Sequence, residues 1–204
     1  MPATTPPITS EERRKRQKSA RREAILSAAR KVFARKGFDG TTIADVAREA
    51  GVASGTVYLY YPSKLDIFAA LNALLFTVIN HALQEAPAPP DLHGGTRARI
   101  HGVFDACSEH RDLLRLVFLN PDPRTEVARS MRKADEERLR PLAELLGTGM
   151  EAGVVREGDP MLLARMITGL VTYALHLCFV QSDGRDVEAY EETVTQMVIG
   201  GLTP

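Results

Sequence analysis

The sequence predicts an all-α protein of about nine helices. Apolar residues recur at three- and four-residue spacing along most of the chain, capping residues and glycines bound these stretches, and no alternating strand pattern interrupts them. Charge divides the 204 residues unevenly: residues 1–65 carry 13 Lys/Arg and 6 Asp/Glu, although the whole chain has a net charge of zero. A basic first third on an acidic remainder predicts a polyanion-binding head joined to a body that does not bind polyanions.

The first 19 residues are predicted to form a disordered, basic N-terminal arm. Residues 1–10 are rich in Pro and Thr, and seven of the ten residues from Arg13 to Arg22 are basic. One interpretation is a solvated helix start; the other, which the neighbouring motif favours, is an arm that reaches DNA. A first helix with one buried face follows over Ala20–Lys36, and Gly37 is placed to end it.

Two capping boxes bound the next helices. Thr42-x-x-Asp45 predicts the start of helix 2, and Ser63-x-x-Asp66 predicts the start of a long helix 4. Between them, helix 3 should span about Ser54–Tyr60, because the following proline prevents the helix from continuing.

The remaining helices follow a break over residues 86–95, which are rich in Pro and Gly. Helices are predicted at about 96–107, 109–119, 123–151, 160–181 and 186–199. Pro141 should kink the longest of them, and Asp159 with Pro160 is a typical helix start.

Helix 8 is apolar almost all round, and such a helix must be covered on every side. We therefore predict a homodimer formed by helices 8 and 9; a central core helix in a monomer is the alternative. The longest uncharged run, Met166–Ser182, is at the short limit for a membrane span, so we expect no membrane partner. Cys107 and Cys178 leave one disulfide open, but free thiols in the cytoplasm are favoured.

The segment TTIADVAREAGVASGTVYLYYPSKLD, residues 41–66, has the spacing of a helix-turn-helix. Ala47 is small where two helices cross, Gly51 permits a turn with positive φ, and Val57 plugs the second helix into the core. Ser54, Gly55 and Thr56 leave a small polar face at the start of helix 3, which suits the major groove.

At this point a family resemblance becomes specific. The residues GFDGTTIADVAREAGVASGTVYLYYPSKLDIF resemble the DNA-binding domain of the tetracycline-repressor (TetR) family of transcriptional regulators. Two positions depart from the family pattern: Tyr61 replaces the usual phenylalanine, and Leu65 stands where an acid is common. The resemblance implies a helix-turn-helix DNA-binding domain over residues 20–66 and an effector-binding and dimerisation domain over residues 67–204.

The resemblance also implies which residues contact double-stranded DNA. Base edges would face the start of helix 3, and phosphates would be held by the tyrosines that follow and by residues at two helix N-termini. By position these residues are Thr42, Ser54, Gly55, Thr56, Tyr58, Tyr60 and Lys64.

The family motif does not extend into the second domain, so its ligand residues are chosen from apolar residues predicted to face inward and one arginine. They are Phe76, Phe104, Cys107, Arg111, Leu114, Phe118, Met131, Met166 and Tyr173. A core role is the alternative for each apolar member. No spacing typical of a metal site or a cofactor fingerprint occurs, so we expect neither a metal nor a cofactor.

These observations predict a cytoplasmic, ligand-responsive transcriptional regulator. The most consistent version is a repressor that binds a palindromic operator as a homodimer and is released by a small, largely apolar effector. A transcriptional activator and an architectural DNA-binding protein without an effector are the alternatives. An enzyme is not expected, because no catalytic constellation of known spacing is present.

Overall fold

The computed structural model describes residues 9–87, 91–119 and 126–204. For residues 126–136 and 138 it describes the backbone alone. The described residues form nine α-helices and one π-helical segment, and contain no strand, in agreement with the predicted all-α class. The helices are α1 (Ser10–Lys36), α2 (Ile43–Glu49), α3 (Ser54–Tyr60), α4 (Lys64–Glu85), α5 (Leu92–Glu109), α6 (Arg111–Leu119), α7 (Glu126–Glu151), α8 (Pro160–Leu175) and α9 (Val187–Leu202). The π-helical segment, His176–Gln181, continues α8 directly.

The chain divides into two compact units, residues 1–71 and residues 72–204. In the first unit α1, α2, α3 and the start of α4 enclose a small apolar core. Phe33 is almost completely buried, and its ring lies 5.6 Å from that of Phe38 and 6.5 Å from that of Phe68. Ile25 and Val46 complete the core with no exposed surface.

Helix α1 begins ten residues earlier than predicted. Thr9 caps it: its hydroxyl accepts a hydrogen bond from the Glu12 backbone N–H at 3.2 Å, and the Glu12 carboxylate accepts one from the Thr9 N–H at 2.7 Å. This capping box satisfies two groups that the helix itself leaves unpaired. The prediction of disorder was therefore wrong for residues 10–19, whereas residues 1–8 lie outside the described part of the chain.

In the second unit, α5 packs against α9 and α7 packs against α8. Phe104 of α5 and Phe179 of the π-helical segment are buried side by side, with ring centroids 6.2 Å apart. At the surface, α5 and α9 are joined by an Arg97–Glu192 ion pair and by His101, whose Nδ1 lies 3.0 Å from a Glu191 carboxylate oxygen. Apolar burial and these ties together hold the terminal helix in place.

Other boundaries also differ from the prediction. Helix α5 begins at Leu92, four residues before the expected start, because the Asp91 carboxylate caps it through the Gly94 N–H at 2.6 Å. The last turn of helix 8 is π-helical, and the loop that follows requires positive φ at Asp183, Gly184 and Asp186. Pro141 lies inside α7, and the helix continues past it to Glu151.

Among the described residues, two helices are long and apolar enough to cross a membrane: α4, and α8 together with the π-helical segment, with mean hydropathies of 1.5 and 1.6. Core helices of helical domains share this composition. Both helices bury part of their surface inside the second unit, through residues such as Leu75 and Leu175.

Candidate nucleic-acid interface

The turn between α2 and α3 has the geometry that the sequence predicts. Gly51 has a φ of +65°, a region that favours glycine, and the Val52 N–H donates to the Ala47 carbonyl at 3.0 Å. Ala47 is 3 % exposed and Val57 is completely buried. Helix α3 is therefore anchored by its inner face and leaves its outer face to solvent.

The outer face of α3 is small and polar at its start and aromatic at its end. Gly55 is exposed, Ser54 and Thr56 are half-buried, and no side chain caps the helix at Ala53. Tyr58 is 53 % exposed. A surface of this shape is suited to entering a major groove, with small residues leading and a phenol beside the backbone.

The three tyrosines of this segment have different surroundings. Tyr61 is 2 % exposed, and its hydroxyl accepts a hydrogen bond from Arg22 Nε at 3.0 Å. Burial raises the pKa of Tyr61, and the hydrogen bond from Arg22 opposes this shift. Tyr61 is thus the packed ring of the three, while Tyr58 and the half-buried Tyr60 reach the surface.

Thr42 is engaged within its own capping box. Its hydroxyl donates to an Asp45 carboxylate oxygen at 2.8 Å and accepts from the Asp45 N–H at 3.2 Å. Hydrogen bonds hold the pKa of Asp45 well below its usual range; the largest effect comes from Lys36 and smaller ones come from Thr42. A phosphate contact through the Thr42 hydroxyl would have to compete with this ionised carboxylate.

Lys64 is also tied into the protein. Its ammonium donates to the Phe38 carbonyl at 2.6 Å and to the Asp39 carbonyl at 3.3 Å, and it lies 4.4 Å from the centroid of the Phe38 ring. The side chain therefore fastens the start of α4 to the turn between α1 and α2. This internal role was missed by reasoning from sequence, because nothing in the local pattern shows contacts that span 26 residues.

Sequence reasoning also missed two features of the surface around α3. Leu59 is the most exposed large apolar side chain of this helix, at 83 %, and points outward between the two surface tyrosines. Its position in the predicted helix 3 was the one sequence signal for this exposure. Tyr60 lines an open groove together with residues of α1, of which Arg14, Gln17 and Lys18 fall in the segment that was predicted to be a disordered arm.

The predicted ligand-binding residues do not all point to the interior of the second unit. Phe104, Cys107 and Leu114 are completely buried, and Phe76 and Phe118 are half-buried. Burial raises the pKa of the Cys107 thiol to about 12. Both Cys107 and Cys178 are free thiols.

Three other members of that set lie at the surface of the unit. Met166 is 65 % exposed and Tyr173 is 60 % exposed, so their assignment to an inward face was wrong. Helix α8 is apolar almost all round, and its periodicity did not distinguish the inner side from the outer. Arg111 is exposed and lies 5.5 Å over the Phe179 ring. The side chain of Met131 is outside the described residues.

A short helix pair joined by a glycine turn, with the second helix presenting a polar outer face, defines a helix-turn-helix DNA-binding regulator. Comparisons with known proteins agree with this class. Residues 25–71 match the family model described as "Bacterial regulatory proteins, tetR family". The chain is 30 % identical over 143 residues to an HTH-type transcriptional regulator of Mycobacterium tuberculosis, an alignment that covers 70 % of this chain and 74 % of the relative.

Other relatives extend over nearly the whole chain. It is 24 % identical over 190 residues to the fatty acid metabolism regulator protein of Bacillus subtilis, covering 92 % of this chain and 98 % of that protein. The solved structure of the fatty acid degradation regulator FadR from Bacillus halodurans superposes with a TM-score of 0.72 at 26 % identity, covering 88 % and 98 %. A FadR of Bacillus subtilis solved in complex with stearoyl-CoA shares the fold, with a TM-score of 0.73 at 23 % identity, covering 88 % and 98 %.

The chain belongs to the tetR family of bacterial regulatory proteins. It is a DNA-binding transcriptional regulator, and the relatives found are regulators rather than enzymes.

Proposed function

We propose that this protein is a ligand-responsive repressor that binds a palindromic operator as a homodimer in the cytoplasm. The observation that carries the proposal is the outer face of α3. This face begins with small polar residues and includes the exposed Tyr58. The buried Val57 holds the opposite, inner face of the helix in the core. This placement supports base contacts by Ser54, Gly55 and Thr56 and a phosphate contact by Tyr58.

Dimerisation through α8 and α9 is supported by an apolar stripe that the second unit leaves open. Leu162, Met166, Gly169 and Tyr173 follow one another at spacings of four, three and four residues, and all four are exposed. Met197 of α9 is 57 % exposed. An apolar helical stripe of this length favours burial against the same stripe of a second copy, as in a four-helix bundle.

The dimer is tested by sedimentation of a Met166→Asp variant. We expect dissociation to monomers at concentrations where the wild type is dimeric, because each dimer would bury two unpaired carboxylates. Leu145→Asp is the matched control, since Leu145 is a 48 % exposed leucine on α7, outside the proposed interface. If both variants remained dimeric, or if both dissociated, the assignment to α8 and α9 would be wrong.

An effector with a long apolar chain is proposed for the second unit. The second unit buries apolar side chains such as Phe104 and Leu114, and the chain is similar to regulators named for fatty acid metabolism and degradation. Acyl-CoA compounds are therefore the first class to test. Thermal-shift measurements should show stabilisation by a long-chain acyl-CoA and none by coenzyme A alone.

DNA and effector would oppose each other through one conformational equilibrium, so each would weaken the binding of the other by the same factor. Fluorescence anisotropy with DNA from upstream of the protein's own gene tests both parts. We expect salt-sensitive binding by the wild type, weakening by Tyr58→Phe through loss of one phosphate hydrogen bond, and release by the effector. Absence of salt-sensitive binding to any upstream segment would refute a specific regulator. Specific binding that no screened ligand changes would favour an architectural role, and effector-enhanced binding with increased reporter expression would favour an activator.

A further inference from the structure

The N-terminal half of α1 carries an unusual continuation of the helix's buried face. Ile25, Ala28 and Val32 follow one face at spacings of three and four residues, and they are buried in the core of the first unit. The same spacing continued toward the N-terminus falls on Arg21, Lys18 and Arg14, which are exposed. One stripe of the helix is thus apolar where protein covers it and basic where protein does not.

These three basic side chains share a groove with the end of the recognition helix. An open groove of about 740 Å³ is lined by Arg14, Gln17, Lys18, Ala20, Arg21, Ala24 and Tyr60. Tyr60 belongs to α3, so this groove begins where the DNA-reading surface ends. Its alanines form a shallow floor, while the amide, the phenol and the three cations provide hydrogen-bond donors.

The charges in this groove are available to a ligand. Among the residues that the structure describes, Arg14, Lys18 and Arg21 form no ion pair, whereas Arg35 pairs with Glu49 at 2.6 Å. The acidic residues Glu12 and Glu23 of the same helix occupy positions away from the stripe, and Glu11 occupies the stripe position before Arg14, in the first turn. The residues that line the groove therefore include three cations in succession and no carboxylate, and Glu11 precedes them on the same stripe of the helix.

We propose that this face of α1 is a rigid, sequence-independent binding surface for the DNA phosphate backbone, flanking the bases that α3 reads. The inference rests on the proposed function and extends the DNA footprint beyond the helix-turn-helix. A polyanion fits because the three cations follow one another along about two helical turns, roughly 10 Å at 1.5 Å per residue, a distance that spans adjacent phosphates of one strand. Because the contacts are to phosphates, they add affinity without adding sequence preference.

The test compares two triple variants of the full chain. The groove variant combines Arg14→Gln, Lys18→Gln and Arg21→Gln. The control variant combines Arg13→Gln, Lys15→Gln and Arg16→Gln. The control removes the same number of exposed positive charges from the same helix but from positions that do not line the groove. Circular dichroism confirms that both variants remain helical.

Binding is measured by fluorescence anisotropy from 0.1 to 0.5 M salt, on upstream DNA and on an unrelated duplex. The groove variant should reduce the slope of log K against log salt by about 2.7, from three phosphate contacts at about 0.9 each. Its affinity at 0.1 M salt should fall by up to about 500-fold on both duplexes, and the control should lose much less.

Equal effects of the two triple variants would show that only net charge matters and would overturn the inference. So would a loss confined to upstream DNA, which would indicate base reading instead of backbone contact. If the wild type binds no DNA in a salt-dependent manner, the proposed function fails together with this inference. If the wild type binds and the groove variant retains the wild-type slope, the inference fails alone.

Discussion

Replacing Lys64 with methionine separates two roles that this residue could have, an internal fastener and a phosphate ligand. The substitution removes the ammonium and keeps an unbranched apolar side chain. The lost contacts are the hydrogen bond to the Phe38 carbonyl at 2.6 Å, the weaker one to the Asp39 carbonyl at 3.3 Å, and the cation–π contact with Phe38 at 4.4 Å. All three act on the turn between α1 and α2.

The expected cost is about 2 kcal/mol. A hydrogen bond from a charged group contributes about 1.5–3 kcal/mol, and a cation–π contact at an exposed site about 0.5–1 kcal/mol. Lys64 is half-buried, so the lower part of each range applies. A local destabilisation of about 2 kcal/mol corresponds to a roughly 30-fold larger equilibrium constant for opening of the turn, since about 1.4 kcal/mol is a factor of ten.

Hydrogen exchange measured by mass spectrometry on peptides covering residues 36–42 reports this opening. The Thr41 N–H, which donates to the Phe38 carbonyl at 3.3 Å, is a probe inside the turn itself. Lys15→Met is the control, because Lys15 is an exposed residue of α1 with no partner among the described residues, and we expect no resolvable change there. Exchange in Lys64→Met that stays within about threefold of wild type would refute the fastener role. A fall of about 0.9 in the salt slope of DNA binding, with unchanged exchange, would assign Lys64 to a phosphate instead.

Three further predictions concern the second unit. Hydrogen bonds, the strongest from the Arg97 guanidinium and a second from the Gln196 amide, lower the pKa of Glu192 from 4.5 to about 2. The stabilising contribution of the Glu192 carboxylate is therefore present above pH 4.5 and is lost as the pH falls toward 2. Thermal unfolding of Glu192→Gln should depend less on pH between 5 and 3 than that of wild type. Gly184→Ala should lower stability by about 1–2 kcal/mol in urea unfolding, because φ is +70° and the new Cβ would also displace the Arg111 guanidinium. An unchanged midpoint would contradict this. Burial raises the pKa of the Cys107 thiol to about 12, so iodoacetamide at pH 8 should label Cys107 only after unfolding, and rapid labelling of the folded protein would show that the site opens.

Local signals in the sequence predicted the helix-turn-helix well. The capping box at Thr42, the turn glycine Gly51 and the buried plug Val57 are each determined by residues within a few positions, and each occurs as expected. The composition of the first residues predicted that α1 begins at Ala20, whereas the capping box at Thr9 begins it at Ser10. This boundary is therefore also determined by a local signal, the pair Thr9 and Glu12.

Other features had no local signal. Helix α8 is apolar almost all round, so only the packing of α7 and α9 reveals that Ala164 and Leu175 face the core while Met166 and Tyr173 face outward. The contact of Lys64 with Phe38 joins residues 26 positions apart, and the groove beside Tyr60 joins α1 with α3.

The sequence by itself determined the helices, the DNA-reading turn and the division of charge, because capping, glycine conformation and apolar periodicity act over a few residues. Tertiary structure alone decided which side of α8 remains exposed and that the ammonium of Lys64 is hydrogen-bonded within the protein. It also decided which basic side chains of α1 line the groove beside the recognition helix. These depend on contacts between distant segments, where burial and geometry select one arrangement among several that the same local pattern allows.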